Sequence, residues 1–196
     1  TAGDLVTAHA TYTLHRVQKG DLEQLPAAVQ PPLAALEVAA AAEADPGAGL
    51  VVIDGKLGGR RAPANVVGYI KTQQGRYLPP AQAALVPRLR AGERTPVFGI
   101  GGRWASLTWY LRLPGPRGGP WAGIVRVECP ASLPRRAAVA LADLTQVTLP
   151  RFASTAYKDP RAPQNLTPVA GLERRLRGLL GDARLLHRSM ALVAGR

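Results

Sequence analysis

Residues 49–55 read Gly-Leu-Val-Val-Ile-Asp-Gly, and no other stretch limits the fold as strongly. Leu50, Val51, Val52 and Ile53 form an unbroken apolar run of mostly β-branched residues, the pattern of a strand covered on both faces. A strand of that kind belongs to an α/β sheet flanked by helices. Asp54 stands at its carboxyl end, and Gly55 closes the run. Taking an unpaired carboxylate out of water is costly unless a cation or donors meet it. In open α/β sheets this edge is also where ligand crevices lie. An Asp that merely caps its own turn is the simpler alternative.

The neighbouring segments bear on that choice. Asn65-Val-Val-Gly-Tyr-Ile-Lys71 reads as a second short strand, ending in Lys71 as the first ends in Asp54. Two strands that deliver opposite charges to one edge make a constellation. Residues 33–45 are strong helix sequence, with Pro31 and Pro32 placed where a first turn tolerates proline. Leu33, Leu36 and Ala40 share a face of this helix, and Glu37 sits between Leu36 and Val38 as a candidate for burial. A helix joined to the next strand by a short turn packs back on its sheet, which would let Glu37 approach Asp54.

Elsewhere the pattern completes a single domain over 1–196, with no internal repeat. Residues 5–17 alternate as a long strand or hairpin arm whose more polar face carries His9 and His15, read as solvated or hydrogen-bonded and not as metal ligands. Residues 81–90 read as an amphipathic helix interrupted by Pro87. Three more strands are expected at 96–100, 106–113 and 123–129. Arg112, Arg126 and Glu128 fall at alternate positions there, and cross-strand ion pairing accounts for them. From residue 134 the pattern turns helical, with Asp143 a cap or a partner for Arg136. Helices at 169–180 and 184–193 follow an irregular run. Their basic faces, with Arg174, Arg175, Arg177 and Arg184, suit either solvent or a groove along nucleic acid.

The chain carries 25 Lys plus Arg against 13 Asp plus Glu, a net charge of +12. Arg presents a planar fork that fits phosphate oxygens, so the balance favours a polyanion such as DNA or RNA. An Arg- and Ala-rich composition is the competing explanation. Cys129, the only cysteine, excludes an internal disulfide and reads as buried and inert. No apolar run approaches the roughly 20 residues that span a bilayer, and no leader pattern is seen, so a cytoplasmic protein with no membrane attachment is expected.

Absent motifs narrow the chemistry. There is no Gly-x-x-x-x-Gly-Lys-Ser/Thr cradle. Gly99-Ile-Gly101-Gly102 follows a strand but leads into no helix, which rules out a dinucleotide fingerprint. No serine sits in a nucleophile elbow, and no histidine pairs with a nucleophile. Carboxylates remain, and on a polyanion they point to hard cations such as Mg²⁺ and Mn²⁺. A pair of such ions about 3.5–4 Å apart can hydrolyse a phosphodiester. Lys71 would balance charge or steady the phosphate.

Leu36-Glu37 in its helix, Leu50-Val-Val-Ile-Asp54-Gly-Lys-Leu57 and Val66-Val-Gly-Tyr-Ile-Lys71 together resemble the NurA nucleases, which work with the HerA DNA-translocating ATPase on DNA ends. Trp109-Tyr110, Arg126-Val-Glu128 and Arg161-Ala-Pro-Gln-Asn-Leu166 resemble the C-terminal part of bacterial members. The resemblance implies an RNase H-like mixed sheet flanked by helices and a Mn²⁺-dependent deoxyribonuclease, with Mg²⁺ as substitute, that resects ends in double-strand break repair. It also implies a homodimer docked on a hexameric HerA. On this basis Glu37 and Asp54 would hold metal, Lys71 would stabilise the phosphoryl transition state, and Arg60, Arg61, Arg161 and Asn165 would hold DNA. The family's first acid, on an earlier strand, has no equivalent before Glu37, so that strand is expected to be missing. No residue takes the family's histidine role. The alternative is a non-catalytic DNA-binding or ATPase-adaptor module of the same fold.

Overall fold

The computed structural model describes residues 25–43, 49–58, 62–72, 77–102, 105–115, 118–155 and 162–194. Helix α1 (Leu25–Glu43) leads to β1 (Val51–Asp54) and β2 (Val66–Ile70), then to a single helical turn, α2 (Pro80–Ala83). Strands β3 (Phe98–Ile100), β4 (Ser106–Arg112) and β5 (Ile124–Pro130) follow, and α3 (Arg135–Thr148), α4 (Thr167–Leu180) and α5 (Ala183–Ala194) end the described chain. The fold is α/β, built on a five-stranded sheet in the order β1-β2-β5-β4-β3. β1 and β2 run parallel, and the other pairings are antiparallel, so the sheet is mixed. The strand expected over 5–17, with His9 and His15, lies outside the described residues, as do Arg60, Arg61 and Arg161. Among the described residues no helix is long and apolar enough to cross a membrane.

Alternation along the strands gives the sheet two unlike faces. On one, Val67, Tyr69, Trp109, Leu111, Val125, Val127 and Cys129 are buried under Ala138, Leu141 and Ala142 of α3, with Leu149 and Leu166 beside them. Trp109 is fully buried at its centre, and its indole N–H donates to Thr145 Oγ1 at 3.0 Å, so the one polar atom of the ring is satisfied. The reverse face is covered in two pieces. Ala41 of α1 packs with Ile53, Leu57 and Val66, while Val86, Tyr110 and Ile124 form a separate apolar cluster. Ser106, Thr108, Arg126 and Glu128 form a buried polar strip on that same face.

Three expectations need correction, and a fourth gains its partners. Pro31 and Pro32 lie inside α1, not in its first turn, because the helix begins at Leu25. The Ala-rich sequence on either side propagates the helix past two missing donors. Residues 81–90 form only the turn α2 and a 3-10 turn over Val86–Arg88, since prolines at 79, 80 and 87 interrupt the hydrogen-bond ladder. The Arg112 guanidinium, expected to serve in cross-strand ion pairing, donates to the backbone carbonyls of Pro87, Pro120 and Ala122 at 2.6–2.8 Å. Asp143 accepts from Arg94, which comes from a distant loop, and not from its helix neighbour Arg136.

Gly68 of β2 lies under the chain that follows β1. A Cβ there would sit 2.7 Å from the Gly55 carbonyl oxygen and 3.1 Å from the Leu57 nitrogen, both backbone atoms that cannot swing aside. Gly68→Ala is expected to destabilise the protein by about 1–3 kcal/mol through overpacking, read as a lower denaturation midpoint. A second prediction concerns Cys129, whose thiol is pushed up to about 12 by burial and then by Glu128. A thiol whose folded value is raised leaves stability intact below its ordinary value of 9.0 and removes it as pH climbs toward about 12. Denaturation curves across that window should show this loss for the wild type and a smaller one for Cys129→Ala, with no labelling of the native thiol at neutral pH.

Candidate functional site

The parallel pairing of β1 with β2 sets Asp54 opposite Tyr69 and brings the ends of both strands to one edge. There the Lys71 ammonium donates to Asp54 Oδ2 at 2.7 Å. The lysine side chain is 17% exposed and the aspartate 41%, so the pair faces solvent on the acid's side. An exposed pair of this kind contributes roughly 0–1 kcal/mol, which leaves Lys71 easily drawn to a better anion. The two opposite charges read from the strand ends do meet.

A cleft of about 650 Å³ opens beside this pair, walled by Asp54, Lys56, Tyr69, Lys71, Gln164 and Asn165. Its far wall is residues 162–166. Gln164 fixes that wall: its side-chain amide donates to the carbonyls of Lys71 at 3.2 Å and Ile124 at 3.1 Å, and its own carbonyl accepts the Tyr69 hydroxyl at 2.6 Å. Burial, and then the charge of Asp54, hold that hydroxyl well above the ordinary tyrosine range, so Tyr69 remains a donor. The Asn165 carbonyl accepts from Ser154 N–H at 2.8 Å, which seats the segment from the other side. Asn165 therefore lines the same cleft as Asp54 and Lys71. Gln164 and Tyr69 were missed, although Tyr69 alternates with Lys71 and so shares its face of β2.

Glu37 does not line this cleft. It lies three residues after Ala34 and four before Ala41, on the helix face those two buried alanines mark. That face packs on Ile53 and Val66. Asp54, next to Ile53 in an extended strand, alternates to the opposite side of the sheet. Glu37 is thus placed on the other face of the sheet from Asp54, where it has an interaction of its own. Among the described residues no group of three or more His, Cys, Asp or Glu could hold a metal ion. Among the described residues Asp54 is the one carboxylate lining the cleft, and it is engaged by a lysine, so these residues alone do not fit a Mn²⁺ or Mg²⁺ site.

On the reverse face Arg126 Nη1 donates to Glu128 Oε2 at 2.7 Å, and Glu128 Oε1 accepts the Leu57 N–H at 2.7 Å. The pair is two residues apart on β5 and not across strands, because alternate residues share a face. Both side chains are almost fully buried, at 2% and 6% exposure. The Tyr77 ring lies 4.6 Å from the Arg126 guanidinium carbon.

Set against models of known protein families and against curated proteins, the sequence matches none.

The two carboxylates should behave differently when neutralised. Glu128→Gln leaves Arg126 buried without its counter-charge and is expected to cost about 3–5 kcal/mol. Asp54→Asn opens a solvated pair and should cost no more than about 1 kcal/mol. Chemical denaturation of both variants tests the contrast, and equal losses would contradict it.

Proposed function

We propose that this chain is a nuclease domain acting on DNA ends, of the kind that works with a hexameric HerA-type translocase. The observation that carries the proposal is the convergence of Asp54, Lys71 and Asn165, from three separate segments, on one open cleft. The net charge of +12 supports a polyanionic substrate. Lys71 exchanges Asp54 for a phosphate oxygen when DNA enters, and Asn165 contacts the strand from the facing wall. Arg60, Arg61 and Arg161 add sequence-independent phosphate contacts, and a cytoplasmic homodimer is part of the same proposal. Mn²⁺ or Mg²⁺ enters on the resemblance alone. Asp54 would supply one oxygen of the near-octahedral set such ions take, and Glu37 is the second acid that the resemblance implies.

One observation favours a second reading. Asp54, the one carboxylate lining the cleft among the described residues, is already neutralised by Lys71, which suits a DNA-binding or ATPase-adaptor module that does not cleave.

Incubation of the chain with linear single-stranded and duplex DNA and Mn²⁺ separates the two. The nuclease should cleave, and Asp54→Ala should lower the rate at least about a hundredfold. Lys71→Ala should also flatten the salt dependence of DNA binding by about one phosphate contact. DNA binding without cleavage by the wild type would leave the adaptor reading, and a salt slope indifferent to Lys71 would remove the cleft from either.

A further inference from the structure

A second cavity, of about 400 Å³, opens on the reverse face of the sheet between Lys56, Gly58, Tyr77, Gly101 and Arg126. Its floor is the polar strip of β4 and β5, whereas the other face of the same strands is apolar. A buried ion pair is no more stabilising than well-packed apolar side chains of equal volume, so stability does not account for Arg126 and Glu128 in this place. Their connections end at an aromatic ring. The Leu57 N–H holds Glu128, Glu128 holds Arg126, and Arg126 lies against one face of Tyr77. Tyr77 is thereby fixed at the wall of an open cavity.

Lys56 supplies the second component. It is exposed, has no ion-pair partner among the described residues, and lines both this cavity and the Asp54–Lys71 cleft. A fixed aromatic surface beside an unpaired cation is the chemistry that binds single-stranded nucleic acid, with the base on the ring and the phosphate on the cation. A base within a duplex is stacked on both faces and cannot use such a ring without leaving the stack.

We infer that this cavity is a subsite for one unpaired nucleotide of a DNA strand, its base on Tyr77 and its phosphate on Lys56, adjoining the phosphate cleft on the other side of the 55–58 loop. The inference rests on the DNA-binding part of the function proposed above.

Fluorescence anisotropy of the full chain with labelled oligothymidylate and with a blunt duplex of equal length tests it. Tyr77→Ala should weaken oligothymidylate binding about 5- to 150-fold, the loss typical of one stacked base. Duplex binding should be unchanged, and Tyr77→Phe should stay within about twofold of wild type. Lys56→Ala, on an exposed side chain that folding does not need, should weaken the single strand more than the duplex and flatten its salt dependence. The subsite is overturned if Tyr77→Ala binds oligothymidylate like wild type, if Tyr77→Phe loses as much as Tyr77→Ala, or if Lys56→Ala affects both DNAs equally. Should Lys71→Ala weaken both DNAs while the Tyr77 and Lys56 variants do not, the cleft stands and the subsite falls. Should the wild type bind neither DNA, both fall.

Discussion

The meeting of Asp54 with Lys71 at one edge of the sheet depends on the parallel pairing of β1 with β2. That register sets Asp54 beside Tyr69 and lets Lys71, just past the end of β2, reach back to the acid. The chain then turns at once, with Gly55 donating to the Tyr69 carbonyl at 2.7 Å. Gly55 has φ 110, a conformation that L side chains rarely adopt. Gly68, without a side chain, leaves room for the returning backbone. Two glycines, one just past β1 and one within β2, thus shape one edge, one by its freedom and one by its small size.

The loop after Asp54 is anchored as well as shaped. Its Leu57 side chain is buried against Ala41, Ile53 and Val66, and its Leu57 N–H is held by a carboxylate from β5. Lys56 lies between Leu57 and Gly55, whose N–H donates to the Tyr69 carbonyl, on a backbone held at both sides. A lysine on such a loop loses little further backbone freedom when it binds an anion, which is the general advantage of groups ordered before the ligand arrives. The buried charge pair on β5 therefore does its work through the loop as much as through the sheet.

Much of this was legible in the sequence, for identifiable reasons. Runs such as Leu50 to Ile53 and Val66 to Ile70 are short, apolar and β-branched, so strand and burial follow from composition alone. The charges at their ends fixed the shared edge once the pair ran parallel. The side of the sheet on which Glu37 lies was not legible. It depends on which face of α1 is buried, and Ala34 and Ala41, which mark that face, look like every other alanine in an Ala-rich helix. The partners of Arg112 were not legible because alternation reveals a face but not a partner, and three backbone carbonyls compete with any carboxylate for its guanidinium. Gln164 was passed over because its role consists of hydrogen bonds to residues far away in the chain, which no local pattern encodes.

The order of the strands has a kinetic consequence. β3, β4 and β5 form an antiparallel meander between near neighbours, whereas β2 joins it only by bridging from Gly68 to Glu128. Closing that long loop sacrifices chain entropy before any contact rewards it. The β1–β2 unit, with its acid and lysine, is therefore the last to dock during folding and the first to detach in partial opening. Faster amide exchange at Val67 and Tyr69 than at Trp109 and Leu111 would be its signature, and the reverse order would contradict it.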